Sequence, residues 1–191
     1  MDKYNIKFYN GVKKIVGVPM KLFFDVRVSG LENIPEGSYI LAGNHKSMWD
    51  VVLLATSIPT NIRFMGKKQL FDNPILESFF SKAGAFPVDR DGIDINAIKT
   101  SLRLLKEGET IGIFPEGTRN KTKALTLPFK EGVTRIATKT KTVIVPFGID
   151  GDYKLGKTIN LNIGEPIDMT LIDKENQTEY LEEKVRQLIL K

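Results

Sequence analysis

Residues 38–57 read Ser-Tyr-Ile-Leu-Ala-Gly-Asn-His-Lys-Ser-Met-Trp-Asp-Val-Val-Leu-Leu-Ala-Thr-Ser. The run 38–42 is apolar and of strand length, while 48–57 carries a helical pattern. Between them lies a polar stretch that follows the strand directly. The same alternation extends outward over most of the chain. Apolar runs of strand length lie at residues 23–28, 38–42, 62–65, 85–88, 110–114, 142–148 and 159–163. Helical patterns lie at 48–57, 74–82, 94–106, 131–140 and 174–190. Asp94 is a suitable N-cap for the third of these helices and Gly108 a suitable stop. Short buried strands separated by helices predict an α/β domain: a mixed, mostly parallel sheet of about seven strands, covered by helices on both faces. Ligands of such sheets sit at strand ends. Residues 43–50, 87–90 and 115–119 each follow a predicted strand and are the candidate ligand-binding segments.

Ahead of this domain, residues 4–18 fit an amphipathic helix. At 3.6 residues per turn Tyr4, Phe8, Val12 and Ile15 share one face, with Lys3, Lys7, Asn10 and Lys14 opposite. Pro19 is expected to end the helix or bend the chain. The start lacks the apolar core of a secretory signal, and no run of about 18 apolar residues suggests a transmembrane helix. A cytoplasmic location is the default expectation.

The 191 residues suffice for one compact core, and no segment is poor enough in apolar residues to read as disordered. The absence of cysteine excludes disulfides, thiolate metal sites and a cysteine nucleophile. The net charge of +5 is unevenly placed. Residues 1–27 carry six bases against Asp2 and Asp25, and residues 118–141 carry seven against Glu131. The tail 165–191 is acidic. Two basic zones on a near-neutral remainder point to anionic partners: lipid headgroups, phosphorylated substrates or nucleic acid.

The single histidine, His45, precedes Asp50 by five residues. In a regular helix that step turns the two side chains about 140° apart. They can meet only if His45 sits in the turn before the helix and Asp50 reaches back from its first turn. A carboxylate bonded to one ring nitrogen would then fix the tautomer and support the imidazolium formed when the other nitrogen takes a proton. Taken alone, the plainer reading of the pair is a surface histidine near a helix start. Other catalytic plans lack parts. There is no Gly-x-Ser-x-Gly elbow and no phosphate-binding Gly-x-x-x-x-Gly-Lys loop, and one histidine without cysteine leaves a zinc site short of ligands. A base at His45 would therefore act on a nucleophile belonging to the substrate.

Three further clusters stand at strand ends. In Phe114-Pro115-Glu116-Gly117-Thr118-Arg119, Gly117 permits a tight turn that would bring Glu116 and Arg119 together. Arginine suits bidentate recognition of phosphate, and a turn with a local ion pair is the plainer reading. Gly84-Ala85-Phe86-Pro87-Val88-Asp89-Arg90 ends in Arg90, a second candidate phosphate ligand or half of a solvated surface pair. Val145-Pro146-Phe147-Gly148 suits a pocket wall.

In this order the four pieces resemble the four sequence blocks of the glycerolipid acyltransferases, the family with an Asn-His-x4-Asp motif. Met65-Gly66-Lys67-Lys68-Gln69-Leu70 is similar to a further family segment, with Gln69 where Glu is common. The resemblance spans roughly residues 22–170, so residues 22–191 are expected to form the acyltransferase domain behind a membrane-contacting segment 1–21. It implies transfer of a fatty acyl group from an acyl-carrier protein or coenzyme A thioester to the hydroxyl of 1-acyl-glycerol-3-phosphate, without cofactor or metal. His45 becomes the general base, oriented by Asp50. Glu116, Gly117, Thr118 and Arg119 become acceptor-binding residues, with Arg90 and Lys67 near the phosphate. Backbone N–H groups near the pocket turns would hold the oxyanion.

Many relatives in this family carry longer hydrophobic N-terminal segments, and here that part is short and basic. The implied attachment is peripheral, on the cytoplasmic face of the membrane, through Lys3, Lys7, Phe8, Val12, Lys14 and Ile15. Packing of the same face on the protein's own core stays open as the alternative, as does core versus acyl-chain contact for Met48 and Trp49. Other functions remain open on the sequence. Within the family, the acceptor could be another lysophospholipid or a lyso-aminolipid. Outside it, the fold could serve as a non-catalytic phospholipid-binding module, against which an intact His45 and Asp50 argue. Nucleic-acid binding through residues 118–141 is disfavoured by the few aromatics there and the lack of a recognition motif.

Overall fold

The computed structural model describes residues 2–89, 92 and 94–191. Seven strands, β1 (Asp25–Ser29), β2 (Ile40–Gly43), β3 (Ile62–Lys67), β4 (Phe86–Val88), β5 (Thr110–Ile113), β6 (Ile144–Gly151) and β7 (Thr158–Ile163), form one sheet in the order β1-β7-β6-β2-β5-β3-β4. The strands β6, β2, β5, β3 and β4 run parallel; β7 opposes β6 and runs with β1. Six helices, α1 (Ile6–Phe23), α2 (Trp49–Ser57), α3 (Pro74–Lys82), α4 (Ile95–Lys106), α5 (Gly132–Thr140) and α6 (Gln177–Ile189), complete the domain. The expected mostly parallel sheet is present, its strands beginning and ending within a few residues of the sequence reading.

Two cores follow from the two-residue period of the strands. Ile40 and Ala42 point into the core beneath α4, α5 and α6, where Leu104, Val133 and Leu181 meet them. Leu41 between them points the other way, into the core that Met20 of α1 and Leu53 and Leu54 of α2 close. Fully burying a side chain of this size stabilises the fold by about 1.5–3 kcal/mol. Asp94 caps α4 as its sequence suggests: one carboxylate oxygen accepts Ala97 N–H at 2.9 Å and the other Asp89 N–H at 2.7 Å.

The connections place the site. From β2 the chain crosses over β5 through α2 to reach β3; from β5 it crosses back over β2 through α5 to reach β6. Right-handed crossovers in opposite directions require opposite faces, and Leu53 and Val133 do lie in different cores. A crevice therefore opens at the carboxyl ends of the adjacent strands β2 and β5. At the end of β2, Gly43 is obligatory: a Cβ there would stand 2.2 Å from the carbonyl oxygen of Phe147.

The N-terminal helix departs from the sequence reading in two ways. It starts later, with Asn5 accepting Phe8 N–H as N-cap, and it continues through Pro19 to Phe23. Proline costs a turn one hydrogen bond, and packing of the flanking residues holds the helix together: Gly17 and Met20 on either side are buried. A Cβ on Gly17 would lie 3.3 Å from Thr56 of α2, so the two helices approach closely there. The buried face is also a different one. Tyr9, Gly17 and Met20 face the core, whereas Ile15 is 73% exposed together with Val18 and Leu22. Tyr4 and Phe8 are half-buried against Arg63 and Phe79. No helix among the described residues is long and apolar enough to cross a membrane.

Candidate active site

His45 lies in the loop between β2 and α2, and Asp50 is the second residue of α2. This is the geometry that the five-residue spacing demands. His45 Nδ1 and Asp50 Oδ2 are 2.8 Å apart. The same oxygen accepts the backbone N–H groups of Lys46 at 2.7 Å and Ser47 at 2.8 Å, which explains why the loop folds back over the start of the helix. Asp50 is fully buried and His45 is 6% exposed. With Nδ1 donating to the carboxylate, Nε2 is the acceptor nitrogen of a neutral imidazole. The ring stacks on Phe114, centroids 3.9 Å apart at 18°.

The loop is fixed from three other directions. Asn44 bonds both ways to Ile149 of β6 at 2.8 Å, so the residue before the histidine is pinned to the neighbouring strand. The His45 carbonyl accepts Asn120 N–H at 2.7 Å. Glu116 Oε1 accepts His45 N–H at 2.7 Å, and its other oxygen accepts Leu127 N–H at 2.9 Å. Glu116 therefore points inward, which overturns the expected Glu116–Arg119 juxtaposition: backbone donors already hold both carboxylate oxygens. Burial pushes its carboxyl above the ordinary glutamate range, partly offset by those two N–H donors.

Gly117 adopts φ +68°, the left-handed conformation expected of it, and turns the chain so that Thr118 and Arg119 are exposed. Arg119, Lys67 at the end of β3, and His45 line one cavity of about 350 Å³. Its walls are otherwise mainly apolar, with Met48, Phe64, Met65, Phe80 and Val12 of α1 among them. Val12 and Phe8 thus turn toward this cavity and α3, while Ile15, Lys7 and Lys14 face outward. Lys3 pairs with Glu77 of α3 at 2.9 Å. Met48 lines the cavity and Trp49 packs on Phe24. Arg90 lies outside the described residues. Among the described residues no cluster of His, Asp or Glu is arranged to hold a metal ion.

One participant is absent from every motif. The Tyr153 hydroxyl, from the segment after β6, donates to Asp50 Oδ1 at 2.7 Å. The two residues are separated by 103 positions, and nothing local to Tyr153 distinguishes it from a turn residue.

A buried His–Asp pair at a strand-end crevice, facing an apolar cavity with cations on its wall, is an arrangement suited to acyl transfer. The chain belongs to the Acyltransferase family, whose sequence profile matches residues 25–150. It is 37% identical over 197 residues to the 1-acyl-sn-glycerol-3-phosphate acyltransferase of Bacillus subtilis (strain 168), covering 95% of this chain and 96% of that protein. A chloroplastic 1-acyl-sn-glycerol-3-phosphate acyltransferase of Brassica napus is 31% identical over 162 residues, covering 82% of this chain and 46% of the plant protein. The crystal structure of the 1-acyl-sn-glycerophosphate acyltransferase from Thermotoga maritima shares the fold, with a TM-score of 0.79 and 28% identity over 95% of this chain and 78% of the other.

Proposed function

We propose that this protein transfers a fatty acyl group from a thioester to the free hydroxyl of 1-acyl-sn-glycerol-3-phosphate, forming phosphatidic acid for phospholipid synthesis. The observation that carries the mechanism is the tautomer lock: Nδ1 is committed to Asp50, and His45 lines a cavity whose wall also holds Lys67 and Arg119. His45 Nε2 takes the proton of the acceptor hydroxyl as its oxygen attacks the thioester carbonyl. The tetrahedral intermediate expels the thiolate, which recovers the proton from the imidazolium. Asp50 stays ionised throughout and stabilises the charged ring. Arg119 and Lys67 hold the acceptor phosphate, and the apolar cavity receives an acyl chain. Thr118 and Gly117 shape the turn that presents Arg119. Glu116 acts on the acceptor indirectly, by holding the His45 loop in register with that turn.

The reaction takes place at a membrane surface, and α1 is suited to meet it. At 100° per residue, Ile15, Val18 and Leu22 form the outward stripe, and Lys7, Lys14 and Lys21 form a row along one edge. An apolar stripe beside a row of cations fits a lipid interface with anionic headgroups. Peripheral attachment therefore rests on the outer face of α1, while its inner face belongs to the core.

The test crosses acyl-carrier protein and coenzyme A thioesters with 1-acyl-glycerol-3-phosphate, glycerol 3-phosphate, other lysophospholipids and a lyso-aminolipid. Phosphatidic acid is the expected product, at a rate that His45→Ala lowers at least 10²-fold. No product in any combination would return the chain to the reading of a non-catalytic lipid-binding module.

A further inference from the structure

We infer that Tyr153 is a positioning residue for the His45–Asp50 pair, its phenol holding the one carboxylate oxygen that neither the histidine nor the backbone reaches. The inference rests on His45 acting as the base. Asp50 Oδ2 accepts three N–H groups, from His45, Lys46 and Ser47. Oδ1 accepts only the Tyr153 hydroxyl among the described residues. A carboxylate with no exposed surface needs both oxygens satisfied to stay ionised, and the phenol supplies the second.

The phenol is itself held in place. The Tyr153 ring meets the edge of Phe24 at 5.5 Å and 87°, and Phe24 also packs on Trp49, the residue before Asp50. The segment is tied at both ends, by Lys46 Nζ donating to the Gly151 carbonyl at 2.9 Å and by Gly156 N–H donating to Phe23 at 3.0 Å. Phe23 and Phe24, at the end of α1, therefore buttress both the Tyr153 segment and the turn that bears the carboxylate. Burial, with the neighbouring Asp50 charge, pushes the phenol far above its ordinary range, so it remains a donor throughout the working pH range.

The phenol has a consequence beyond packing. A hydrogen bond to Oδ1 draws charge away from Oδ2 and so limits how strongly the carboxylate holds a protonated imidazole. Tyr153 thus tempers the attraction between Asp50 and the imidazolium formed in the reaction. The other ionisable groups around the pair are Glu116 beneath the His45 backbone, Lys46 on the same loop, and Tyr9, Lys13, Lys67 and Arg119 on the cavity wall. All of them remain unchanged in the variants below.

The experiment measures kcat and KM against pH for the full chain with 1-acyl-glycerol-3-phosphate as acceptor. Tyr153→Phe keeps the ring and its contact with Phe24. Its kcat should fall by about tenfold, the scale of one hydrogen bond to a buried charge, with acceptor KM nearly unchanged. The acid limb of kcat/KM should move to higher pH. Replacing Tyr153 by 3-fluorotyrosine, a stronger donor of the same shape, should move that limb to lower pH, and this arm decides the matter if the phenylalanine variant does not fold. A limb that stays in place in the folded variants overturns the inference, even if kcat falls. His45→Ala in the same assay separates the two ideas. If it is inactive while Tyr153→Phe behaves as wild type, only the role of Tyr153 fails; if it retains full turnover, the base itself is misassigned.

Discussion

Glu116 Oε1 accepts the backbone N–H of His45 at 2.7 Å, so a carboxylate from the turn after β5 holds the loop that follows β2. Its second oxygen holds Leu127, so this one side chain joins His45 to two segments of the neighbouring loop. Replacing it with glutamine leaves a single acceptor oxygen for two N–H donors. Glu116→Gln should lower kcat by roughly tenfold and stability by about 1–3 kcal/mol, the cost of one unsatisfied buried donor. Acceptor KM should change little. A raised KM with unchanged kcat would instead mean that Glu116 touches the acceptor directly.

Arg119 and Lys67 line the cavity with His45 from different strand ends. If they hold the phosphate, Arg119→Ala should raise KM for 1-acyl-glycerol-3-phosphate about tenfold or more, as expected for a lost charged hydrogen bond. An acceptor without phosphate, 1-acylglycerol, should be used equally poorly by wild type and variant. Comparing the two acceptors in steady-state kinetics checks the assignment, and equal losses on both would contradict a phosphate contact.

Changing Lys7, Lys14 and Lys21 together to alanine should weaken partitioning onto anionic vesicles by roughly 3 kcal/mol, on the order of 100-fold, at about 1 kcal/mol per lysine near the surface. Binding to neutral vesicles should change far less. Vesicle sedimentation at constant ionic strength reads both. Deleting residues 1–20 would be a poorer test, because it removes Tyr9 and Met20 from the interior and Asp2 from the buried Arg63.

Asp94 gives an acid-dependent prediction. Its carboxyl is held below the ordinary range, chiefly by the Asp89 N–H and also by Ala97 N–H. A depressed folded value means that its contribution is present above the ordinary aspartate range and is lost as pH falls through the folded value. Asp94→Ala should destabilise the fold by about 1 kcal/mol near neutral pH, the usual cost of a lost N-cap. The gap between the denaturant midpoints of wild type and variant should narrow on acidification. A gap independent of pH would exclude the charged cap.

The strands and most helices were legible because local pattern decides them. β5 is a short apolar run between Gly108 and a proline, and α4 carries its own cap at Asp94. The N-terminal helix was harder. The face read from its sequence, Tyr4/Phe8/Val12/Ile15, lies between two apolar stripes, Tyr9/Val16/Met20 and Ile15/Val18/Leu22, and periodicity alone does not say which one finds a partner. Contact with α2, made possible at Gly17, selects the first. The same packing carries the helix past Pro19, where propensity argues for a stop.

For the site, the sequence by itself singled out the His45–Asp50 pair and the turn geometry it needs. Both residues belong to one loop-to-helix turn, and a five-residue spacing leaves a single workable arrangement. It also determined that cations would gather at strand ends. Only the tertiary structure decided which of the other groups serve the pair. Glu116 turns inward to His45 N–H and Tyr153 reaches Asp50 because β2 lies between β5 and β6, an order set by crossovers on opposite faces of the sheet. Hydrogen bonds between residues 71 and 103 positions apart are a property of that strand order, and no local pattern can encode it.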